Sequence, residues 1–442
     1  MRKPNLHKDS IKSLFYFYLS SSIIGMVIRS LHNFLDGVFV GNGVSEEALA
    51  AVNMSLPLIT SFTAISFLFA AGGATYVSIE LGRDNPKKAQ NYFVSSMLSM
   101  LSIVVIIQAI FFTNRSAIIR LMGANDTIYN LIYTYGSTIM AFAPLMAISL
   151  ALSIFVRNDG NPKLVMQSNV IGAIANAAMN ALFIFVFGWG LFGAALGTGL
   201  AQIISSGILL KHFIKNEGAL HIDLQGYRYS LSNMKRVIIV GFPNWIGEIA
   251  FGIIWLVLNR VIMSINGEIG VSAFSITFYV CNMGYAVMYG VAQAIQPIIS
   301  FNFGAKHDDR VKEAYKLGLY DSLKIGGIFL VITVVFAEPI VKLFGADSKE
   351  LIQLAVSTNR YVAMTFLFVA YNIVGSTFFQ SIGDGTSSLI LQLLRGFFLT
   401  LLFILVLPKF LGFLGIMLAF PLTELFGAFI TWVFMKTRQK VI

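Results

Sequence analysis

The chain has 442 residues, 57% of them hydrophobic and 12% charged, with a mean hydropathy of +0.77 and a net charge of +10. Soluble domains carry about 25% charged residues, so a soluble fold is excluded and a lipid bilayer is the expected solvent. The single cysteine, Cys281, lies in an apolar run, which excludes an internal disulfide and disfavours thiol-ligated metal.

The basic start, MRKPNLHKDSIKSL, is not followed by a compact apolar core with a small-residue cleavage site, so no removable signal peptide is expected. Stretches long enough to cross a bilayer, about 20 residues each, fall near 14–40, 50–80, 91–113, 128–156, 164–187 and 191–213. Six more fall near 236–264, 271–303, 314–337, 350–380, 387–408 and 411–435. The expectation is an all-α polytopic membrane protein of about twelve transmembrane helices. The longest polar interruption, Lys215 to Arg236, leaves no room for an extramembrane catalytic module. Phosphate-loop, HExxH and GxSxG patterns are missing and the five histidines are scattered, so an ATP-driven pump or membrane metalloprotease lacks its signature and the chain is expected not to be an enzyme.

Polar residues interrupt these spans selectively. In the first, Arg29, Asn33 and Asp36 fall within an arc of about 60° on a helix, with His32 about 60° to one side of Arg29. A charge at mid-membrane costs at least about 2.5–3.5 kcal/mol, which leaves two readings for Asp36. It is a structural carboxylate paired to Arg29 or another helix, or a titratable, cation-binding group in a wet cavity. The fifth span adds Asn169, Asn176 and Asn180, and the sixth adds Thr198; these are either interhelical hydrogen-bonding groups or helpers of a cation site. In the second half the charges at membrane depth are Glu248, Glu424 and Arg395, each readable as part of an ion pair.

The chain also repeats itself. LMGA at Leu121 returns as LFGA at Leu343; Leu81–Gly82 before a basic segment returns as Phe303–Gly304; Gly193 returns as Gly415. One offset, 222 residues, serves all three, with a slip of about three residues around NDGNP and GDGTS. Asp36 has no acidic counterpart, since Leu258 stands there. Six helices per repeat start both halves on one side, so two lobes should be related by a pseudo-two-fold axis along the membrane normal, a secondary-transporter pattern. The expected organisation is an amino-terminal lobe over 1–218, a cytoplasmic linker over 219–235 and a carboxyl-terminal lobe over 236–442. Placing alternate loops on opposite sides collects twenty-one Lys and Arg on the side of the termini against five on the other. That bias puts both termini in the cytoplasm, and it makes the basic excess an orientation signal, not a nucleic-acid site.

LDGVFVGNGVSEEALAAVNMSLPL (Leu35 to Leu58) and NAAMNALFIFVFGWGLFGAALGTGLAQ (Asn176 to Gln202) resemble the multidrug and toxic compound extrusion family, the MATE transporters, as do LMGA, GNP and GDGT in their places. The resemblance spans the chain. It implies two six-helix lobes around a V-shaped cavity and export of amphipathic, often cationic compounds by antiport with H⁺ or Na⁺, with no other cofactor. It further implies a monomer in the cytoplasmic (inner) membrane and a role in antibiotic resistance. Asp36 matches the first-helix aspartate implicated in ion coupling, a possible Na⁺ site, and Asn176, Asn180 and Thr198 match polar positions around it. Arg29, His32, Asn33 and Asn169 become candidates for the substrate cavity, with Glu248 and Asn372 weaker candidates in the second lobe. The chain departs from the family where Asn180-Ala181 replaces a common Asp-Pro, where Ser21 replaces a first-helix proline, and where the tenth span has Asn372 and no acid. The rival expectation is a lipid-linked saccharide flippase of the same superfamily, which would gather several of Arg29, Arg260, Arg360 and Arg395 in its cavity.

Overall fold

A computed structural model describes residues 5–222, 228–344 and 348–437, apart from the side chains of Asn33, Phe34, Glu46 and Thr127. Regular structure among them is helical throughout. The first half comprises α1 (Ile11–Gly43), α2 (Glu46–Met54), α3 (Leu56–Gly82), α4 (Pro86–Leu121), α5 (Asp126–Asn158), α6 (Pro162–Asn180) and α7 (Gly190–Ile214). A second set follows: α8 (Leu231–Gly304), α9 (Asp308–Val335), α10 (Ala337–Leu343), α11 (Lys349–Ala363), α12 (Val369–Ser381), α13 (Gly385–Leu393), α14 (Thr400–Leu411) and α15 (Phe413–Thr437).

Local chemistry sets many of these boundaries. The first amides of a helix have no partner within it; Asn85, Asn125, Asn161, Ser348 and Asp384 accept from Lys88, Ile128, Leu164, Leu351 and Ser387 respectively. Pro86 and Pro162 then occupy the first turn, where no amide hydrogen is needed.

Ten helices of the described residues are long and apolar enough to cross a membrane, or eleven if the pair Lys349–Leu367 and Val369–Ser381, bent by 41°, counts as one broken span. Helix α8 has 74 residues and is broken at Gly267, whose φ of 58° and ψ of −151° are non-helical. Each arm exceeds the roughly 20 residues a crossing needs, so with α8 counted as two spans the described residues hold enough helix for twelve crossings. The 222-residue offset persists in the backbone: Asp84 and Lys306 both have positive φ, 55° and 59°, and Gly190 and Gly412 have 54° and 56°. Asn161 and Asp384 are equivalent helix caps one residue beyond that offset, so the slip expected there is smaller than three residues.

The chain divides into two compact units, one built on Ser20–Trp245 and the other on 246–437 together with Asp9–Leu19. In the first unit, Phe93 stacks on Phe213 at 5.1 Å and meets Phe155 edge-on at 4.9 Å. Gly72 of α3 faces the Val237 carbonyl and Gly241 faces that of Leu68, at spacings where a Cβ would collide with backbone. Small residues let helices approach this closely when lipid offers no hydrophobic drive. The second unit is centred on Phe274, Met288, Phe366 and Ile416, with Phe329 on Phe366 at 4.7 Å. The polar stretch after α7 is docked at its start: Ala219 and Leu220 donate to Asp159, and His221 exchanges two hydrogen bonds with Gln90.

Candidate functional site

Asp36 lies seven residues before the end of α1, and its carboxylate is held by the neighbouring α6. Asn180 donates from Nδ2 to Asp36 Oδ1 at 2.8 Å. The same Nδ2 reaches Asn176 Oδ1 at 3.2 Å, and Asn176 Nδ2 donates to Thr198 Oγ1 at 3.2 Å. Thr198 closes the chain by donating to the Ala194 carbonyl of its own helix at 3.0 Å. On the other side, His32 Nε2 stands 3.4 Å from Asp36 Oδ2, one turn back along α1. The result is a continuous polar path, His32–Asp36–Asn180–Asn176–Thr198, across three helices.

Two details bear on what this path could bind. Asn176 and Asn180 are buried, yet Asn180 Oδ1 has no hydrogen-bond partner among the described residues, and a buried acceptor without a partner is costly. Gly197 gives that oxygen its room, because a Cβ there would come within 2.6 Å of it. Meanwhile the Asp36 side chain keeps 29% of its surface exposed. The path therefore presents a partly accessible carboxylate and an amide oxygen, neither with a Lys or Arg partner among the described residues.

The other expected residues lie around this path. Arg29 projects over the Phe67 ring at 5.9 Å, a cation–π contact that accounts for a charge on this face. Asn169, two turns before Asn176, lies against Gly25 of α1. The Asn33 side chain is outside the described residues.

The second unit holds a different constellation. Arg395 Nε lies 3.3 Å from Glu424 Oε1, and Asn372 Nδ2 donates to Glu424 Oε2 at 2.6 Å and to its carbonyl at 2.9 Å. Thr431 donates to Asn372 Oδ1 at 3.0 Å. Glu424 and Arg395, each readable as part of an ion pair, are paired with each other, and Asn372 joins them. Thr431 was missed, although its spacing of seven from Glu424 places both on one face of α15. Glu248 has no bond to this group among those described; it lies in electrostatic range of Tyr289. Arg360 donates to the Val334 carbonyl at 3.4 Å, so Arg360 and Arg395 are engaged separately. No group of three or more His, Cys, Asp or Glu side chains that could hold a metal occurs among the described residues.

Comparison with known proteins agrees with this architecture. Residues 21–182 and 243–406 match the MatE family. A multidrug export protein, MepA, of Staphylococcus saprophyticus is 24% identical over 400 residues, covering 87% of each chain. Among solved structures, a MATE in complex with MaL6 matches with a TM-score of 0.93 at 23% identity, over 98% of this chain and 97% of that one. A multidrug resistance MATE family transporter of the MOP superfamily, in an outward-facing conformation, matches with a TM-score of 0.93 at 22% identity, over 99% and 98%.

Proposed function

This chain belongs to the MatE family of membrane transporters, and from that premise we propose that it exports amphipathic, cationic compounds across the cytoplasmic membrane by antiport with H⁺ or Na⁺. The observation that carries the reading is the Asp36 site, a partly exposed carboxylate bonded to Asn180 and His32 with no guanidinium or ammonium among its described partners. A carboxylate in that setting attracts a proton, an alkali ion or a cationic substrate, and one positive charge neutralises it. Mutually exclusive occupancy of this kind is what an antiporter requires. Asn176, Asn180 and Thr198 would supply neutral oxygens, while Arg29, His32, Asn33 and Asn169 would border the substrate path. The export activity named for the staphylococcal relative is consistent with this reading. The protein works as a monomer, with both termini in the cytoplasm, and needs no cofactor beyond the coupling ion.

The flippase alternative calls for converging arginines. Arg395 is neutralised by Glu424 and Arg360 is bound elsewhere, which weighs against it. The deciding experiment is reconstitution in proteoliposomes with a panel of cationic dyes such as ethidium, under a pH gradient and a Na⁺ gradient in turn. Dye efflux driven by one gradient and collapsed by the matching ionophore is the expected result. Dyes that never move, in vesicles that translocate a lipid-linked saccharide, would overturn the reading.

A further inference from the structure

We propose that Arg395 is a built-in counter-ion that excludes Glu424 from ion coupling, leaving Asp36 as the carboxylate that takes the exchanged ion. The inference rests on the exporter reading above and concerns how many ions that exporter uses.

Asp36 of the first unit and Glu424 of the second each lie in a membrane helix, where a carboxylate must be neutralised; Glu248 is a further acid of the second unit. Asp36 is bonded to an amide and an imidazole, neither of which carries a permanent charge. The other ionisable groups around it are Tyr135, in electrostatic range from α5, and Arg29, two turns back on α1 and engaged with Phe67. Its side chain is 29% exposed. Glu424 differs in each respect. Its partner is a guanidinium, which keeps its proton under all physiological conditions, and the two side chains are only 6% and 11% exposed. Tyr285 and Tyr289 of α8 complete the ionisable surroundings of Glu424 and Arg395, with Glu248 near Tyr289. Asn372 and Arg395 between them engage both carboxylate oxygens of Glu424.

The surroundings are shaped for this arginine. Arg395 is the second residue of a π-turn, Leu394–Leu399, where the hydrogen-bonding step lengthens by one residue, and the Thr400 hydroxyl donates to its carbonyl at 2.8 Å. Such turns re-aim side chains within an otherwise regular helix. Gly427 clears space on α15, since a Cβ there would fall 2.9 Å from Arg395 Cγ and 3.0 Å from Asn372 Nδ2. Thr431 fixes the Asn372 amide so that its NH₂ faces Glu424. An ion could reach Glu424 only by displacing a tethered, desolvated cation, whereas at Asp36 it displaces nothing charged.

The test is dye efflux from proteoliposomes as a function of the driving ion. For the wild type we expect a logarithmic slope of about one, with Arg395→Met raising it toward about two because Glu424 then needs a mobile ion. Arg395→Lys, which keeps the charge, should hold the wild-type slope. The pair Arg395→Met with Glu424→Gln should return to it, and Asp36→Asn should remove all gradient dependence. An inserted, active Arg395→Met protein with an unchanged slope overturns the inference. Gradient-driven efflux that survives Asp36→Asn but is lost in Glu424→Gln does the same. If Arg395→Met fails to insert, the double variant decides: a retained slope supports the proposal, and lost coupling overturns it. Wild-type efflux indifferent to both gradients overturns the exporter reading itself, a result distinct from the others.

Discussion

At the scale of residues, the Asp36 path invites three substitutions with different outcomes. Asp36→Asn retains shape but cannot change charge, so gradient-driven efflux should fall below detection while the protein still inserts and melts like the wild type. Asn180→Ala removes one interhelical hydrogen bond, worth about 0.6 kcal/mol in a membrane, and should slow efflux roughly threefold. Gly197→Ala tests the geometry from the other side, because the added Cβ would come within 2.6 Å of Asn180 Oδ1. The flexible amide end must swing away, so efflux should drop with little change in melting temperature; a wild-type rate would show that the amide's position does not matter. His32, Asp36, Asn176, Asn180 and Thr198 were all visible as polar interruptions of apolar runs. What the one-dimensional pattern left open was whether Asp36 pairs with Arg29, and the structure answers with Asn180 and His32 as the described partners of that carboxylate.

At the scale of elements, helix starts were legible in advance wherever Asn, Asp or Ser precedes the first turn, because those side chains accept the stranded amides. The π-turns at Ala181–Val186 and Leu394–Leu399 were not, since a one-residue change in hydrogen-bonding step leaves no mark on an apolar run. Helix α7 ends in a buried knot: His212 Nε2 meets Asp159 Oδ2 at 2.8 Å, and Asp159 also accepts the Ala219 and Leu220 amides. Replacing His212 with Ala leaves Asp159 short of a partner, and a stability loss of about 1–3 kcal/mol is expected. Thermal denaturation in detergent, with protease cutting after residue 215 as a second readout, checks this. Gly241→Ala should cost about 1–3 kcal/mol or more by overpacking, because the facing atom is the Leu68 backbone carbonyl and cannot give way; an unchanged melting temperature would contradict the close approach of α3 and α8.

At the scale of the molecule, twelve expected crossings and a strong charge bias make orientation testable. A cysteine placed at Lys306, in the turn between α8 and α9, should resist a membrane-impermeant maleimide added outside intact cells, whereas one at Lys409 should label; the reverse pattern would invert the topology. Gly226, expected in the cytoplasmic linker, lies outside the described residues, and the same labelling applies to it. Composition alone dictated a bilayer protein, because so few charges over 442 residues cannot clothe a soluble surface. Length and spacing dictated the crossings, the 222-residue repeat and the faces on which polar residues gather, because helical periodicity is a local property. Only the tertiary structure decided which faces meet. Asp36 finds Asn180 across 144 residues, and Asn372 finds Glu424 across 52, pairings set by how helices settle against one another. Side-chain volumes, glycine clearances and π-turns govern that settling together, so no single stretch of sequence carries the information. Two intramembrane carboxylates that look alike in sequence thereby acquire opposite surroundings, one bonded to amide and imidazole groups without a permanent charge and one with a cation already in place.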